Sequence, residues 1–535
     1  MKTRKHDGKK GRPSGNRTFS SLSQHHVAGK TLQPPLRRLD KISLTSWQDD
    51  HLPTMIWAAL LTQALPRQDY LSTFRAVISH CAPWFADDGP LRHLTERLED
   101  PAQISFDAIL DFDSIAVVSD DLFQSFYALL TNHPTAREAL RPLLLLSSPP
   151  GIARWHQALA SQPTEQDASQ LAASVGRCLD HQSESSTDIR WLRVVVPIVA
   201  GRMRFPREME ERVRDMLEFP NRGDLRSVRP SIRAMEVSMR RQPAPAWVRD
   251  FWEECVKGTA CIDPTDIRSE LKRAPSMFDP RNVFGSRQAL AERFFEVKSS
   301  ERTDARLDAT FGLALYALSI LTTLAATRSH ETVLGRLAVR SLVEARITLA
   351  FLASRDDVKL WSQWRVYGAG QVKLAFLKAQ ESSGDLPKFY DAEELQQLAN
   401  EDIWQEHLDI DLGHWTKVNL RWMAAESGEK DLYDQYYGWS STFVHAQWGA
   451  VRDTDYVTCH NPLHRLHRIP RAIARRQASV EEDAARLLNG MLELVEKLYP
   501  GSEPLIRLNA TTVPNASQKE RAPDGATGQV PSAAA

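Results

Sequence analysis

Four residues in the second half of the chain have side chains suited to acid–base chemistry on a phosphodiester: Arg340, Glu344, Arg365 and His445. A histidine such as His445 can act as general base on a ribose 2′-hydroxyl. Arg340 and Arg365 would stabilise the charge that develops on the phosphate, and Glu344 would orient a cationic partner. These residue types therefore suit metal-independent RNA cleavage, provided that the fold brings them together.

The surroundings of these residues leave two interpretations open. Arg336, Arg340 and Glu344 are spaced four residues apart, so they share one face of a helix whose other positions are mostly apolar. Such a stripe is either a solvated face or a polar network between helices. Aromatic and hydroxyl residues on later segments would suit a polar pocket: Trp361, Trp364, Tyr367, Tyr436, Tyr437 and Ser441.

A second cluster near the carboxy terminus has ligand types that transition metals prefer: Cys459, His460, His464 and His467. Pro462 would interrupt a helix here, and the nearby Arg465, Arg468 and Arg471 would repel a dication. The sequence therefore favours a basic turn with exposed histidines, which suits phosphate contact better than metal binding. No metal site and no cofactor is assigned.

Arg75 and His80 have the Arg-x4-His spacing that the HEPN ribonucleases use. Five residues of helix separate two side chains by about 140°, so this pair does not share a face. By this criterion we do not expect the pair to form a catalytic site, and a single match of this short pattern is expected by chance.

Composition bounds the class of protein. The chain has 535 residues, of which 42% are hydrophobic and 25% charged, as in globular proteins. The formal net charge of −1 gives no bulk field that would indicate a nucleic-acid or membrane partner. Five scattered cysteines without a CxxC pair favour a reducing, cytoplasmic compartment. The longest uncharged apolar run, 311–326, is short for a bilayer span and predicts a buried core helix.

Hydrophobic periodicity predicts an all-α protein with two helical domains. Segments 307–326 and 332–352 are periodic and closely connected, which is typical of an αα-hairpin. Ser479 with Glu482 predicts a capping box at the start of a late helix. The run 194–200 is rich in β-branched residues and suits either a buried helix or a lone strand.

The same reading divides the chain into five segments. Residues 1–44 form a basic arm that we expect to be disordered, with ten basic and two acidic residues in its first 40 positions. The other predicted segments are a helical domain at 45–262, a connector at 263–300, a second helical domain at 301–504 and a disordered tail at 505–535.

Three stretches resemble a known family. The stretch from Arg340 to Arg346, the later stretch from Tyr437 to His445 and the stretch from Trp361 to Tyr367 between them are similar to an uncharacterised helical domain of bacteria. That domain is catalogued as domain-of-unknown-function family 5677. The resemblance covers roughly residues 300–470 and matches the family's pattern at Arg340, Glu344 and His445. It implies a helical architecture similar in style to HEPN-like and abortive-infection proteins, without implying an activity.

Three functional hypotheses follow. The first is a defence or stress effector that cleaves RNA at the Arg/Glu/His site. The second is a non-catalytic helical scaffold or sensor for a protein partner, in which Arg340 and Glu344 form a structural ion pair. The third is DNA binding through the basic arm, with an affinity that falls steeply with salt. None of them requires a membrane span.

Overall fold

The computed structural model describes residues 24–34, 46–92, 109–203, 205–239, 244–272, 276, 278–299, 301, 303–382, 387–400 and 409–508. Within these ranges the chain is mainly helical, and its strands form two short antiparallel pairs. The predicted all-α class is confirmed. The chain divides into two compact units, of which unit 1 comprises residues 1–262 and 459–467, and unit 2 comprises residues 263–458 and 468–535.

The described part of unit 1 contains eleven α-helices around an aromatic-rich core that includes Trp57, Phe74, Phe126, Trp155 and Trp191. The helices of the described residues are α1 Ile56–Ala64, α2 Arg67–Cys81, α3 Phe112–Val117, α4 Asp120–Leu130, α5 Ala136–Leu140, α6 Ile152–Leu159, α7 Glu165–Leu179, α8 Glu184–Val199, α9 Glu210–Leu217, α10 Leu225–Ser238 and α11 Trp247–Gly258. Strands β1 His26–Ala28 and β2 Thr31–Gln33 pair before them.

Unit 2 contains the remaining helices and the second strand pair. Its described elements are α12 Ile267–Leu271, α13 Pro280–Glu296, α14 Ala305–Thr327, α15 Val333–Arg355, α16 Val358–Glu381, α17 Ala392–Asn400, α18 Leu420–Glu426, α19 Lys430–Leu432, α20 Gly438–Val444, α21 Trp448–Asp455, β3 Tyr456–Thr458, β4 Arg468–Pro470 and α22 Glu481–Leu498. The core of unit 2 lies where α14, α15 and α22 pack together.

The hairpin of α14 and α15 is the scaffold for the polar face predicted above. The Asp304 side chain accepts hydrogen bonds from the backbone N–H groups of Arg306 and Leu307, and that of Thr332 accepts from Leu334. These side chains satisfy donors that a helix start otherwise leaves unpaired. The predicted αα-hairpin is therefore present, with two 23-residue helices.

Helix α14 is also the one described helix long and apolar enough to cross a membrane by length and composition. Half of its most apolar window is buried inside the protein. Buried residues such as Phe311, Leu318 and Leu321 belong to the core of unit 2. Its apolar composition thus serves packing in this structure, as the sequence predicted.

The structure decides two local predictions. Of the two alternatives for residues 194–200, the buried helix is present and the strand is not, because all but the last residue belong to α8, which is buried almost all round. The expected connector at 263–300 is instead part of unit 2, where α13 buries Val283 and Leu290. Helices with buried apolar faces pack even where prolines punctuate the sequence.

The capping box predicted at Ser479 does not form. Helix α22 begins at Glu481, and the Ser479 hydroxyl accepts from the Glu481 backbone N–H while also contacting His330 Nδ1 at 3.0 Å. Glu481 is itself buried, and its carboxylate lies 3.5 Å from that same His330 nitrogen. The Ser479 side chain, which local sequence assigns to the helix cap, thus also makes a tertiary contact with His330.

The predicted terminal segments fall mostly outside the described residues. Within the predicted arm, residues 26–33 pair as the exposed β1–β2 hairpin, so this part is ordered as a turn rather than irregular. At the other end, Leu505 and Leu508 are buried in the core of unit 2, so two residues at the start of the predicted tail are packed. The parts at 1–23, 35–44 and 509–535 lie outside the described residues.

Candidate functional site

The polar face of α15 packs against α20 through Arg340. The Arg340 guanidinium lies over the Tyr437 ring, with 3.8 Å from its Cζ to the ring centre. Its Nε donates to the Ser441 hydroxyl at 3.1 Å, and its Nη1 lies 2.5 Å from Glu344 Oε1. A stacked aromatic, a hydroxyl and a carboxylate therefore fix one guanidinium between two helices.

A π-helical turn positions the aromatic part of this contact. Residues Tyr433–Tyr437 form a π-helix that runs directly into α20. Tyr433 and Tyr437 stack in parallel with ring centres 4.4 Å apart, and Tyr437 in turn faces Arg340. Burial, followed by the neighbouring Tyr437, raises the pKa of the Tyr433 hydroxyl. Such turns often occur at functional sites because they change which residues share a face.

Glu344 is the accessible partner of Arg340. Its side chain is 49% exposed, whereas that of Arg340 is 9% exposed. The two residues lie four positions apart on α15, as the sequence predicted. The contact is a close charge pair rather than a well-aligned hydrogen bond, since Nη1 of Arg340 has no hydrogen-bond partner of good geometry. One carboxylate oxygen and much of the side chain thus face solvent beside a fixed cation.

His445 lies on the same face of α20 as the two residues that hold Arg340. Tyr437, Ser441 and His445 are spaced four residues apart, and the His445 backbone N–H donates to the Ser441 carbonyl at 3.1 Å. One turn of helix therefore separates the His445 ring from the hydroxyl that binds Arg340. The ring is exposed and, among the described residues, makes no hydrogen bond or ring contact. It is accessible to a ligand.

Arg365 does not join this group through its described contacts. It lies on α16, and its Nε donates to Asp308 of α14 at 2.8 Å. The four predicted residues are thus divided: Arg340 and Glu344 pair, His445 lies one helical turn beyond their Ser441 partner, and Arg365 belongs to an ion pair between α14 and α16.

Exposed aromatic side chains flank His445 in sequence. Trp439 on α20 is 52% exposed and Trp448 at the start of α21 is 60% exposed. The turn between these helices contains His445 and Ala446, and Ala446 has a positive φ of 46°. Large exposed aromatic surfaces are characteristic of binding sites rather than of ordinary protein surface. Sequence composition alone does not indicate that these tryptophans are exposed.

A second part of the network lies one turn earlier on α15. Arg336 donates to the Ala478 carbonyl at 2.7 Å, and burial lowers the pKa of its guanidinium. On α22, burial raises the pKa of the Asp483 carboxyl, which accepts from the Tyr436 hydroxyl at 2.6 Å. These contacts fix the π-helical turn from its other side. The polar stripe of α15 is thus a network between helices along Arg336 and Arg340, and a solvated face only at Glu344.

The Arg75–His80 pair and a groove between α14 and α15 are two other places where a reaction site could lie. Arg75 donates to the Phe219 carbonyl and lies over Trp191, whereas His80 contacts Ser125. Both residues of this pair thus make structural contacts in unit 1. An open groove of about 430 Å³ between α14 and α15 is lined by apolar and hydroxyl side chains, with Tyr316 at its edge. It lacks acid–base pairs among its lining residues and so does not compete as a reaction site.

The prediction of exposed carboxy-terminal histidines is corrected by the structure. His464 is buried and His467 half-buried, so the expectation of exposed histidines holds only for His460. Pro462 does not disrupt a helix but begins the short 3-10 turn Pro462–His464. Arg465 is paired with Asp49 at 2.7 Å. The sequence could not indicate Cys261, which the fold places beside this cluster.

A family of known sequence pattern covers part of the chain. No curated protein and no solved structure matches the chain. One family model does match, over residues 332–463, which contain α15, the π-helical turn, α20 and α21. Arg340, Glu344, Tyr437, Ser441 and His445 all lie in the matched stretch. The resemblance stated from the sequence is therefore confirmed: residues 332–463 match the Family of unknown function (DUF5677).

Proposed function

We propose that unit 2 binds single-stranded RNA on the α20–α21 surface and cleaves it without a metal ion. The observation that carries this proposal is the packing of Arg340 against Tyr437 and Ser441, which places the free ring of His445 one turn further along the same face. An unengaged imidazole is the group that general-base attack by a 2′-hydroxyl needs, and the buried Arg340 holds the face on which it lies.

His445 acts as the general base in this proposal. It takes the proton of a ribose 2′-hydroxyl, whose oxygen attacks the adjacent phosphorus while the 5′-oxygen of the next nucleotide leaves with a proton from solvent. The products are a 2′,3′-cyclic phosphate and a free 5′-hydroxyl. Arg340 is largely buried, so it acts as a positioning residue that fixes Glu344 and the α20 face rather than as a phosphate ligand.

The exposed tryptophans support single-stranded nucleic acid as the class of ligand. Trp439 and Trp448 flank His445 in sequence, and more than half of each side chain is exposed to solvent. Single-stranded nucleic acids bind to such rings because unpaired bases stack on them irrespective of sequence. A duplex would keep its bases paired and could not use these faces. We therefore assign unpaired RNA as the substrate class and an intracellular site of action, in line with the five free cysteines among the described residues.

Product chemistry tests this proposal directly. Purified full-length chain is incubated with a labelled single-stranded RNA oligonucleotide, with no divalent ion added. We expect fragments ending in 2′,3′-cyclic phosphate, and no cleavage of the DNA oligonucleotide of the same sequence, because DNA lacks the attacking 2′-hydroxyl. Equal cleavage of the DNA, or fragments ending in 3′-hydroxyl, would contradict the mechanism.

A second candidate function is a non-catalytic scaffold for a protein partner. The specific observation in its favour is that the charge of Arg340 is already saturated by Tyr437, Ser441 and Glu344. Exposed tryptophans are also typical anchors of protein interfaces. In this case the chain leaves RNA intact, and substitution of Trp448 reduces capture of a protein partner instead of RNA binding.

A further inference from the structure

Four residues of unit 1 converge with the side-chain types of a structural zinc site. They are Cys261, after α11, together with Cys459, His464 and His467 of the segment 459–467. One ligand atom from each lies within 4.8 Å of those of the other three. Two cysteine sulfurs and two imidazole nitrogens form the Cys2His2 set that binds Zn²⁺ tetrahedrally.

The distances between ligand atoms fit a metal at the centre. Nδ1 of His464 lies 3.5 Å from Cys261 Sγ and 3.4 Å from Cys459 Sγ. Nδ1 of His467 lies 3.6 Å from Cys261 Sγ. Zinc bonds of about 2.3 Å to sulfur and about 2.0–2.1 Å to nitrogen give a tetrahedral sulfur–nitrogen edge of about 3.5 Å. All three measured edges therefore agree with that geometry.

Surrounding groups prepare His464 as a ligand. Its Nε2 lies 2.9 Å from the Thr259 hydroxyl, and that hydroxyl donates its own proton to the Cys255 carbonyl. Thr259 must then accept from Nε2–H, which leaves the lone pair on Nδ1, the atom that faces the two sulfurs. A hydrogen bond to the second ring nitrogen is the usual way in which proteins orient a metal-binding histidine.

The sulfur of Cys459 is likewise prepared as a thiolate. It accepts hydrogen bonds from the backbone N–H groups of Ile262 at 3.3 Å and Asn461 at 3.4 Å. The backbone also holds the two cysteine segments together, because the His460 N–H donates to the Ile262 carbonyl at 2.9 Å. Hydrogen bonds to sulfur stabilise negative charge on it, and zinc binding requires the deprotonated form.

Two of the three arginines that argued against a metal in the sequence, Arg465 and Arg471, are directed elsewhere. Arg465 bonds Asp49 at 2.7 Å and Gln48 at 2.8 Å, and Arg471 bonds Glu270 at 3.2 Å. A carboxylate thus offsets each of these charges. The short turn that Pro462 begins brings His464 and His467 to one side, with the His467 N–H bonded to the His464 carbonyl at 2.9 Å.

We propose that Cys261, Cys459, His464 and His467 bind one Zn²⁺ ion in a closed, structural site. Four protein ligands leave no open position, so the ion supplies no catalysis. It would fasten segment 459–467 within unit 1, where 197 positions separate Ile262 from Cys459. The thiol protons leave on binding. This proposal concerns unit 1 and stands independently of RNA cleavage by unit 2.

Metal analysis of matched variants tests the proposal. The full-length chain is purified from zinc-supplemented medium, and its zinc content is measured by mass spectrometry. We expect about one Zn²⁺ per chain in the wild type, and little zinc in Cys261→Ser and His467→Ala. His460→Ala is the matched control, since its exposed side chain lies in the same segment but outside the cluster, and it should keep the ion. Thr259→Val should weaken zinc affinity by about tenfold or more.

A second measurement covers the case in which a ligand variant does not fold. Cobalt(II) added to the reduced, metal-free wild type should give the thiolate-to-metal absorption bands of a tetrahedral two-sulfur site, and zinc should abolish them. The proposal is overturned if the purified wild type contains no zinc and also shows no such bands with cobalt(II). A Cys261–Cys459 disulfide in chain purified under reducing conditions would also overturn it, because a disulfide removes both sulfur ligands.

Discussion

The Arg340 guanidinium lies 3.8 Å from the centre of the Tyr437 ring, and this contact joins the two helical faces of the candidate site. The same guanidinium bonds Ser441 and pairs with Glu344. Since Arg340 is buried, its interactions are screened less by solvent than those of a surface arginine. The contact thus determines where the π-helical turn and the start of α20 lie relative to α15.

Arg340→Lys should destabilise unit 2 although it conserves the charge. A lysine ammonium cannot stack flat on Tyr437 while also bonding Ser441 and Glu344. We expect a loss of about 1–2 kcal/mol in the free energy of unfolding. Urea denaturation measures it, with Arg355→Lys on the exposed end of the same helix as control. Equal effects of both substitutions would show that the Tyr437 contact contributes nothing particular.

Glu429→Gln should be far more costly than Glu426→Gln. Glu429 accepts two bonds from Arg346, at 2.9 and 2.7 Å, and both side chains are about 15% exposed. Glu426 pairs with Arg355 where both are more than 40% exposed. Breaking the buried pair should cost about 2–4 kcal/mol, and the exposed pair less than about 1 kcal/mol. Thermal unfolding of the two variants side by side checks this, and similar melting temperatures would refute it.

Asp356→Asn should change how stability depends on pH. Hydrogen bonding from Arg306, at 2.6 and 3.0 Å, lowers the pKa of this carboxyl below its ordinary value of 3.8. The ionised group therefore stabilises the folded state above pH 3.8, and this contribution is lost as pH falls through the lower folded-state pKa. The wild type should exceed the variant in stability by less than about 1 kcal/mol near neutral pH, and the curves should converge in acid. A constant difference between the two curves would contradict this assignment.

Trp448→Ala should weaken binding of single-stranded RNA. Base stacking on an exposed aromatic contributes about 1–3 kcal/mol, so affinity should fall by about 5- to 150-fold. Fluorescence anisotropy with labelled RNA measures the affinity. Phe295→Ala is the matched control, because Phe295 is also more than half exposed, on α13, but lies outside the α20–α21 surface. A parallel loss in both variants would indicate nonspecific adsorption instead of stacking.

The sequence predicted the parts of this protein that depend on local periodicity. The α14–α15 hairpin followed from apolar spacing, and Arg340 and Glu344 share a face because they lie four residues apart on one helix. Arg365 could not be placed in this way, because its partner Asp308 lies 57 residues away on another helix. The capping role of Ser479 was predicted wrongly for the same reason, because its hydroxyl contacts His330, which is distant in sequence.

The cysteine and histidine cluster shows most clearly what cannot be predicted from sequence spacing. Segment 459–467 contains three residues of this cluster, together with arginines that argue against a metal. The fourth member, Cys261, is distant in sequence, and the carboxylates that pair with Arg465 and Arg471 are equally distant. Only the tertiary fold combines these groups, so spacing alone could not reveal the cluster.

His445→Ala tests the central claim most directly. The experiment compares single-stranded RNA cleavage by wild type, His445→Ala and the adjacent exposed variant Gln447→Ala, with melting temperature measured for each. The account predicts that His445→Ala lowers the cleavage rate by about a hundredfold or more while its melting temperature stays at the wild-type value, and that Gln447→Ala cleaves normally. Wild-type cleavage by His445→Ala, or intact RNA with the wild type itself, would contradict the account and leave the scaffold function in its place.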